Sequence, residues 1–316
     1  IFKNIAPVSP EKALDAIERA ANGDEGYRFS SRENVHFYEF AQLLRRLAYD
    51  PSLFDRSVDI LCRYALSEKP EENHNSIRNI IQSLFSIYLS GTHATIGSRA
   101  KIIFDLVNSD KHERQELGLS LLNTALQTSH FSSFYDFGFG ARPRDYGYHP
   151  KTQKDVFYWY DTFVSMSTEL AASDSPIAQK ARKLLADNLR GLWTLVGLFE
   201  IVEKSAKTIH EKRAWNEGWV AIKEIIQVDT EHFDNQILER LYTLEKFLRP
   251  SDLLERARTY IFSDQFLHFE LEDDLSEEDS PSRWSQMEEK TRQIGIQVAN
   301  DHLTLNALLP DLVSIY

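Results

Sequence analysis

Residues 41–65 read AQLLRRLAYDPSLFDRSVDILCRYA, and their pattern decides the fold class. Ala41, Leu44 and Leu47 recur at the three-residue step of one helical face. Asp50-Pro51 then interrupts, and Leu53, Phe54, Val58, Leu61, Tyr64 and Ala65 resume the same period. Proline at the first helical position loses no bond, because its missing N–H would have been an orphan. The stretch is therefore read as helix, tight turn, helix, and so short a connection makes the two helices antiparallel neighbours.

The same grammar extends outward. Ser9-Pro10, Ser175-Pro176 and Ser280-Pro281 repeat the capping oxygen before proline, and Ser30…Glu33, Asp110…Glu113 and Asp252…Glu255 have capping-box spacing. Ile77, Ile80, Ile81, Leu84, Phe85 and Tyr88 predict a helix between Asn73 and Leu89. Ile177, Ala181, Leu184, Leu185, Leu189, Leu192 and Trp193 predict another after Pro176. No sustained alternation and no Asn-Gly or Asp-Gly hairpin turn between β-branched runs argues for strands. The expected fold is all-α: an irregular α-solenoid of antiparallel helix pairs, HEAT- or armadillo-like, with a compact all-α bundle as the alternative. Expected boundaries are an N-terminal helical array over 1–128, an aromatic and arginine-rich insert over 129–151, and a central array over 152–262. An acidic linker over 263–281 and C-terminal helices over 282–316 follow. The start at Ile1 and the apolar run Leu308–Val313 near the end lead to the expectation that the chain continues in a longer protein.

Composition narrows the function. The chain has 316 residues, 42% hydrophobic and 27% charged, with no apolar run of the ~18–20 residues that a spanning helix needs. Thirty-six basic against forty-eight acidic residues leave −12, which disfavours nucleic acid as the main partner. Lys101, Lys111, Arg99 and Arg114 form no basic stripe, because acids alternate among them. The single cysteine, Cys62, excludes intrachain disulfides and multi-cysteine metal sites, and is read as a small buried hydrophobe. With no secretory signal, the expected location is cytoplasmic.

No catalytic pattern stands out. There is no Gly-Lys pair for a phosphate loop and no Gly-x-Ser-x-Gly elbow, and His210-Glu211 has no second histidine four residues on. The acidic run Glu270–Asp279 lacks the spacing of a calcium loop and is read as a linker. The expectation is therefore no catalytic residue, no metal and no cofactor for this chain.

One segment asks for an explanation. Residues 130–151 read HFSSFYDFGFGARPRDYGYHPK, dense in rings and arginines. Aromatic residues and arginine are the side chains that anchor interfaces. Phe134, Tyr135, Phe139, Arg142, Arg144, Tyr146, Tyr148 and His149 are the candidate partner-binding residues. The competing reading is that the rings nail a long loop onto neighbouring helices, with the arginines paired to Asp136, Asp145 or Asp155. Arg142, Arg144, Asp145 and His149 would be the polar groups of an enzyme site if the loop closed over one. Stacking on nucleic acid is a third possibility.

Residues 41–61, the segment GFGARPRDYG at 138–147 and LLPDL at 308–312 resemble parts of the helical repeat regions of large bacterial STAND-type NTPases. In that family an effector precedes a P-loop NTPase, and a C-terminal helical array senses a foreign protein, often viral, and triggers oligomerisation. The resemblance implies a sensor array that binds a protein ligand, with its ATP-binding motifs elsewhere in the full-length chain. It carries over no catalytic residue.

Overall fold

The computed structural model describes residues 2–69, 75–133, 135–141, 143–262 and 283–313. They form α-helices joined by turns and loops, with no β-sheet among them. The chain divides into two compact units, 1–167 and 168–316, and the division falls inside one long helix.

The first unit contains α1 (Phe2–Ile5), α2 (Pro10–Asn22), α3 (Gly26–Phe29), α4 (Phe37–Leu47), α5 (Pro51–Ser67), α6 (Ile77–Ser83), α7 (Ile96–Val107), α8 (His112–Leu126) and most of α9 (Gln153–Ala171). The 41–65 reading holds: α4 ends one residue before Ala48, Pro51 opens α5, and the two helices pack together. Leu44, Leu47, Phe54, Val58 and Leu61 are completely buried. Burying such side chains contributes roughly 1.5–3 kcal/mol each, far more than any cap. Caps are correspondingly few. Asp50 and Ser9 make no side-chain capping bond, whereas Thr95 accepts from Ser98 N and Asp252 from Glu255 N at 2.8 Å. Ser30 closes α3 instead of opening a helix, and Lys111, not Asp110, precedes α8.

The helix expected up to Leu89 stops at Ser83, although Leu84, Phe85 and Ile87 stay fully buried. Beyond it the chain turns through Leu89 and Gly91, both at positive φ, and reaches α7 as an irregular strap over 84–95. Helix α7 packs most extensively against α8.

The second unit holds α10 (Ala178–Gly191), α11 (Phe199–Lys212), α12 (Asn216–Asp229), α13 (Asn235–Leu248), α14 (Leu253–Phe262), α15 (Arg283–Asn300) and α16 (His302–Val313). The helix after Pro176 begins at Ala178, widens into a π-turn over Leu192–Val196 and ends at Gly197 in the left-handed region. Helix α12 packs against α10, α13 and α14. Ala257, Ile294, Val298 and Leu308 join α14, α15 and α16 in a small core of their own. Ser280-Pro281 and the acidic run lie outside the described residues.

Candidate functional site

Three segments of the first unit meet at the ring-rich loop: the α4–α5 turn, the strap over 84–95, and residues 129–151. Helix α8 hands the chain to the loop, and the start of α9 takes it back. Trp159 is completely buried and donates from Nε1 to Ala125 O at 2.8 Å, while Tyr160 donates from its hydroxyl to Gln127 O at 2.7 Å. These bonds fix both feet of the loop against the end of α8.

Between its feet the loop is stitched to the scaffold by backbone bonds and by arginines against rings. Gly91 N donates to Tyr146 O at 2.8 Å, and Tyr148 N donates to Thr92 O at 2.7 Å. Gly147 makes this approach possible, because at φ +86° a Cβ would stand 2.3 Å from Thr92 N. Arg144 lies 4.3 Å from the centres of both the Tyr49 and Phe139 rings and donates to Arg46 O. Arg99 faces Tyr148 at 5.6 Å and Trp159 at 5.0 Å, and Arg45 faces Tyr135 at 4.1 Å and Phe137 at 5.2 Å. Each such contact is worth about 0.5–2 kcal/mol, more where water is excluded.

Asp145 is the polar hub. Its Oδ1 accepts from His93 Nε2 at 2.8 Å, Tyr49 OH at 3.1 Å and Gly147 N at 2.9 Å. Partial burial pushes its carboxyl up, but the Gly147 amide, His93 and Tyr49 outweigh that and hold it below the usual carboxylate range. Asp136, the other loop acid in reach, is held by Arg46 at 3.2 Å and by Gly138 N at 2.8 Å.

The candidate residues therefore divide. Phe139 is 1% exposed and offers no ring to a partner. Tyr135 and Tyr148 are half-buried against Arg45 and Arg99. Arg144 and Asp145 converge with Tyr49 and His93, whereas His149 turns to Tyr88, 5.4 Å between ring centres. Tyr146 is 64% exposed and meets the Phe137 ring edge-on at 5.3 Å, and His149 is exposed. Phe134 and Arg142 lie outside the described residues. Of the anticipated acid partners, Asp155 instead accepts from Lys151 N and Thr152 N at its own helix start.

The pattern alone missed the scaffold side of the site: Arg45, Arg46, Tyr49, His93 and Arg99. Arg45 is 2% exposed and Arg99 0%. Burial pushes their guanidinium groups down, to about 10 and about 9, and no carboxylate is among the groups acting on either. Arg99 donates to Ser86 O, Ser90 Oγ and Thr92 O, while its buried Nε has no hydrogen-bond partner.

In the second unit, Asn216 Nδ2 donates to Glu255 Oε2 at 2.7 Å, and burial pushes the Glu217 carboxyl up against the pull of Arg182 and Lys183. Cys62 is buried and its thiol is pushed up to about 12, as expected of a small core side chain. Among the described residues no three His, Cys, Asp or Glu side chains stand together as a metal site, and no helix is long and apolar enough to cross a membrane. The chain matches no family model, no curated protein and no solved structure.

Proposed function

We propose that this chain is a non-catalytic protein-recognition scaffold, the ligand-sensing helical region of a larger bacterial STAND-type defence NTPase, working in the cytoplasm. The observation that carries the docking part is the posture of Tyr146. Its ring is exposed, yet the backbone beneath it is bound to Gly91 and flanked by the Gly147 and Tyr148 contacts with Thr92. An exposed aromatic side chain on a backbone already immobilised loses little entropy on binding, which is what an interface anchor requires. His149, exposed three residues on, extends the same surface. The STAND part rests on the three sequence stretches that resemble the family.

The test is quantitative capture of single purified phage proteins by the immobilised chain, wild type against a Tyr146→Ala/His149→Ala double variant. The reading expects at least one partner whose affinity falls about tenfold or more in the variant, with the melting temperature unchanged. Partners bound equally by both forms would move the docking surface away from the loop.

A further inference from the structure

A buried cation without a counter-charge is costly, and protein interiors almost always supply it with a carboxylate or a full set of acceptors. Arg99 has three acceptors, although its Nε is left without one. Arg45 has a single acceptor. Its Nε donates to Ser83 Oγ at 3.1 Å, but its Nη2 is buried with no hydrogen-bond partner. No ion pair to it exists among the described residues, and the charged neighbour acting on it from its own helix is another cation, Arg46. Asp136 sits in sequence between the two rings that cover Arg45, yet its carboxylate is spent on Arg46 and Gly138 N.

What closes this end of Arg45 is aromatic and thin. Tyr135 and Phe137 are its cover, and both are themselves only half-buried. Gly91 leaves no slack beneath them. It lies at φ +67°, and a Cβ there would stand 2.6 Å from the Phe137 ring and 3.1 Å from Arg45 Nη2. Turning the Phe137 ring outward, toward the exposed Tyr146 that it already touches, would open a path one side chain deep to the unpaired N–H.

We infer that Arg45 is the floor of an oxyanion-binding site, gated by Tyr135 and Phe137, that takes a carboxylate or a phosphate-sized anion onto Nη2. The guanidinium edge suits a planar or tetrahedral oxyanion, and a charge-assisted bond replaces a ring contact of smaller worth. Ser83 holds the same edge of the guanidinium through Nε, leaving Nη2 to the anion. The inference concerns the same loop as the docking surface but does not depend on it, because a small anion needs no protein partner.

The experiment is thermal unfolding of the chain at constant ionic strength, with chloride exchanged stepwise for acetate in one arm and for phosphate in the other. Wild type should gain roughly 2–4 °C as the preferred anion passes about ten times its dissociation constant, in a saturable curve. The arm that saturates tells a carboxylate site from a phosphate site. Non-specific exclusion of phosphate from the surface also raises melting temperatures, but without saturation. Arg45→Gln should remove the saturable part, and Arg46→Gln should keep it. Phe137→Ala, which thins the cover and leaves Arg45 untouched, should tighten the apparent affinity severalfold. That variant serves as the test even if Arg45→Gln does not fold. Linear curves in both arms for wild type and Phe137→Ala, or equal saturable gains in Arg45→Gln and wild type, would overturn the inference.

Discussion

Replacing Phe139 with alanine tests whether the loop docks as a unit on the scaffold. The ring is 1% exposed and lies 4.3 Å beneath the Arg144 guanidinium. Truncating a phenylalanine buried to this degree costs about 3–5 kcal/mol, and the lost cation–π contact adds roughly 0.5–1. If the loop docks as a unit, the cost appears as local opening, capped by the free energy with which the loop is docked. Two amides report that opening directly: Tyr148 N, bound to Thr92 O, and Gly91 N, bound to Tyr146 O. At 3 kcal/mol their protection from hydrogen exchange should fall by about two orders of magnitude, while amides inside α5 keep theirs. Tyr146→Ala, at an exposed ring, is the matched control and should change protection by less than about a factor of three. If Phe139→Ala leaves both amides protected, the ring does not hold the loop. If exchange rises equally in α5, the loop is no separate unit, and the docking argument fails.

Acid should loosen the same loop. The Asp145 carboxyl is held below its ordinary value in the folded chain, so its stabilisation is complete above the unfolded value of about 3.9 and is lost as pH falls through the folded one. Protection of Tyr148 N relative to α5 should therefore fall below about pH 4 in wild type, and Asp145→Asn should show lower protection at neutral pH with no such step. With Asp145 half in solvent the effect is modest, and an identical pH profile in the variant would remove Asp145 from the clasp. Glu217 has the opposite sign. Its carboxyl is pushed up by burial, so wild type loses stability as pH rises through the folded value. Glu217→Gln should raise the melting temperature at pH 7 and match wild type near pH 4. A lower melting temperature at pH 7 would mean that attraction to Arg182 and Lys183 outweighs burial.

Much of the helical skeleton is written in leucine spacing and in proline. Pro10 and Pro51 open helices where the pattern puts them, because a proline in the first turn gives up no hydrogen bond. Spacing fails at the strap over 84–95. Leu84, Phe85 and Ile87 keep being buried after the hydrogen-bonded ladder has ended, so burial persists where helical geometry does not. The ring-rich loop was conspicuous in composition, but its division into core and surface was not. Phe139 and Tyr146 look equally suited to an interface, and only the distant partners Arg144, Gly91 and Thr92 separate them. The scaffold arginines left a fainter mark. Arg99 falls between Ile96 and Ile103 on the apolar stripe of α7, and Arg45 falls four residues after Ala41, among Leu43, Leu44 and Leu47. A charge on a stripe that must be buried is a signal that helix periodicity contains and that a search for motifs passes over.

The two buried arginines look alike by position and differ in what surrounds them. Replacing a buried charge by a hydrophobe of similar size is often neutral or stabilising, so stability alone is a weak reason for either. Arg99 has a reason that a hydrophobe cannot meet. Its guanidinium ties together Ser86 O, Ser90 Oγ and Thr92 O along an irregular strap, and Ser86 O left bare would cost about 1–3 kcal/mol, whereas Thr92 O keeps its bond from Tyr148 N. Arg45 satisfies one hydroxyl and two rings, contacts that a methionine could largely replace with dispersion and sulfur–aromatic packing. Arg45 makes one hydrogen bond against the three of Arg99, and keeps an unspent Nη2–H and a full positive charge behind rings that are half in solvent. A cation kept in that position, inside a chain of net charge −12, is accounted for by an anion that comes and goes.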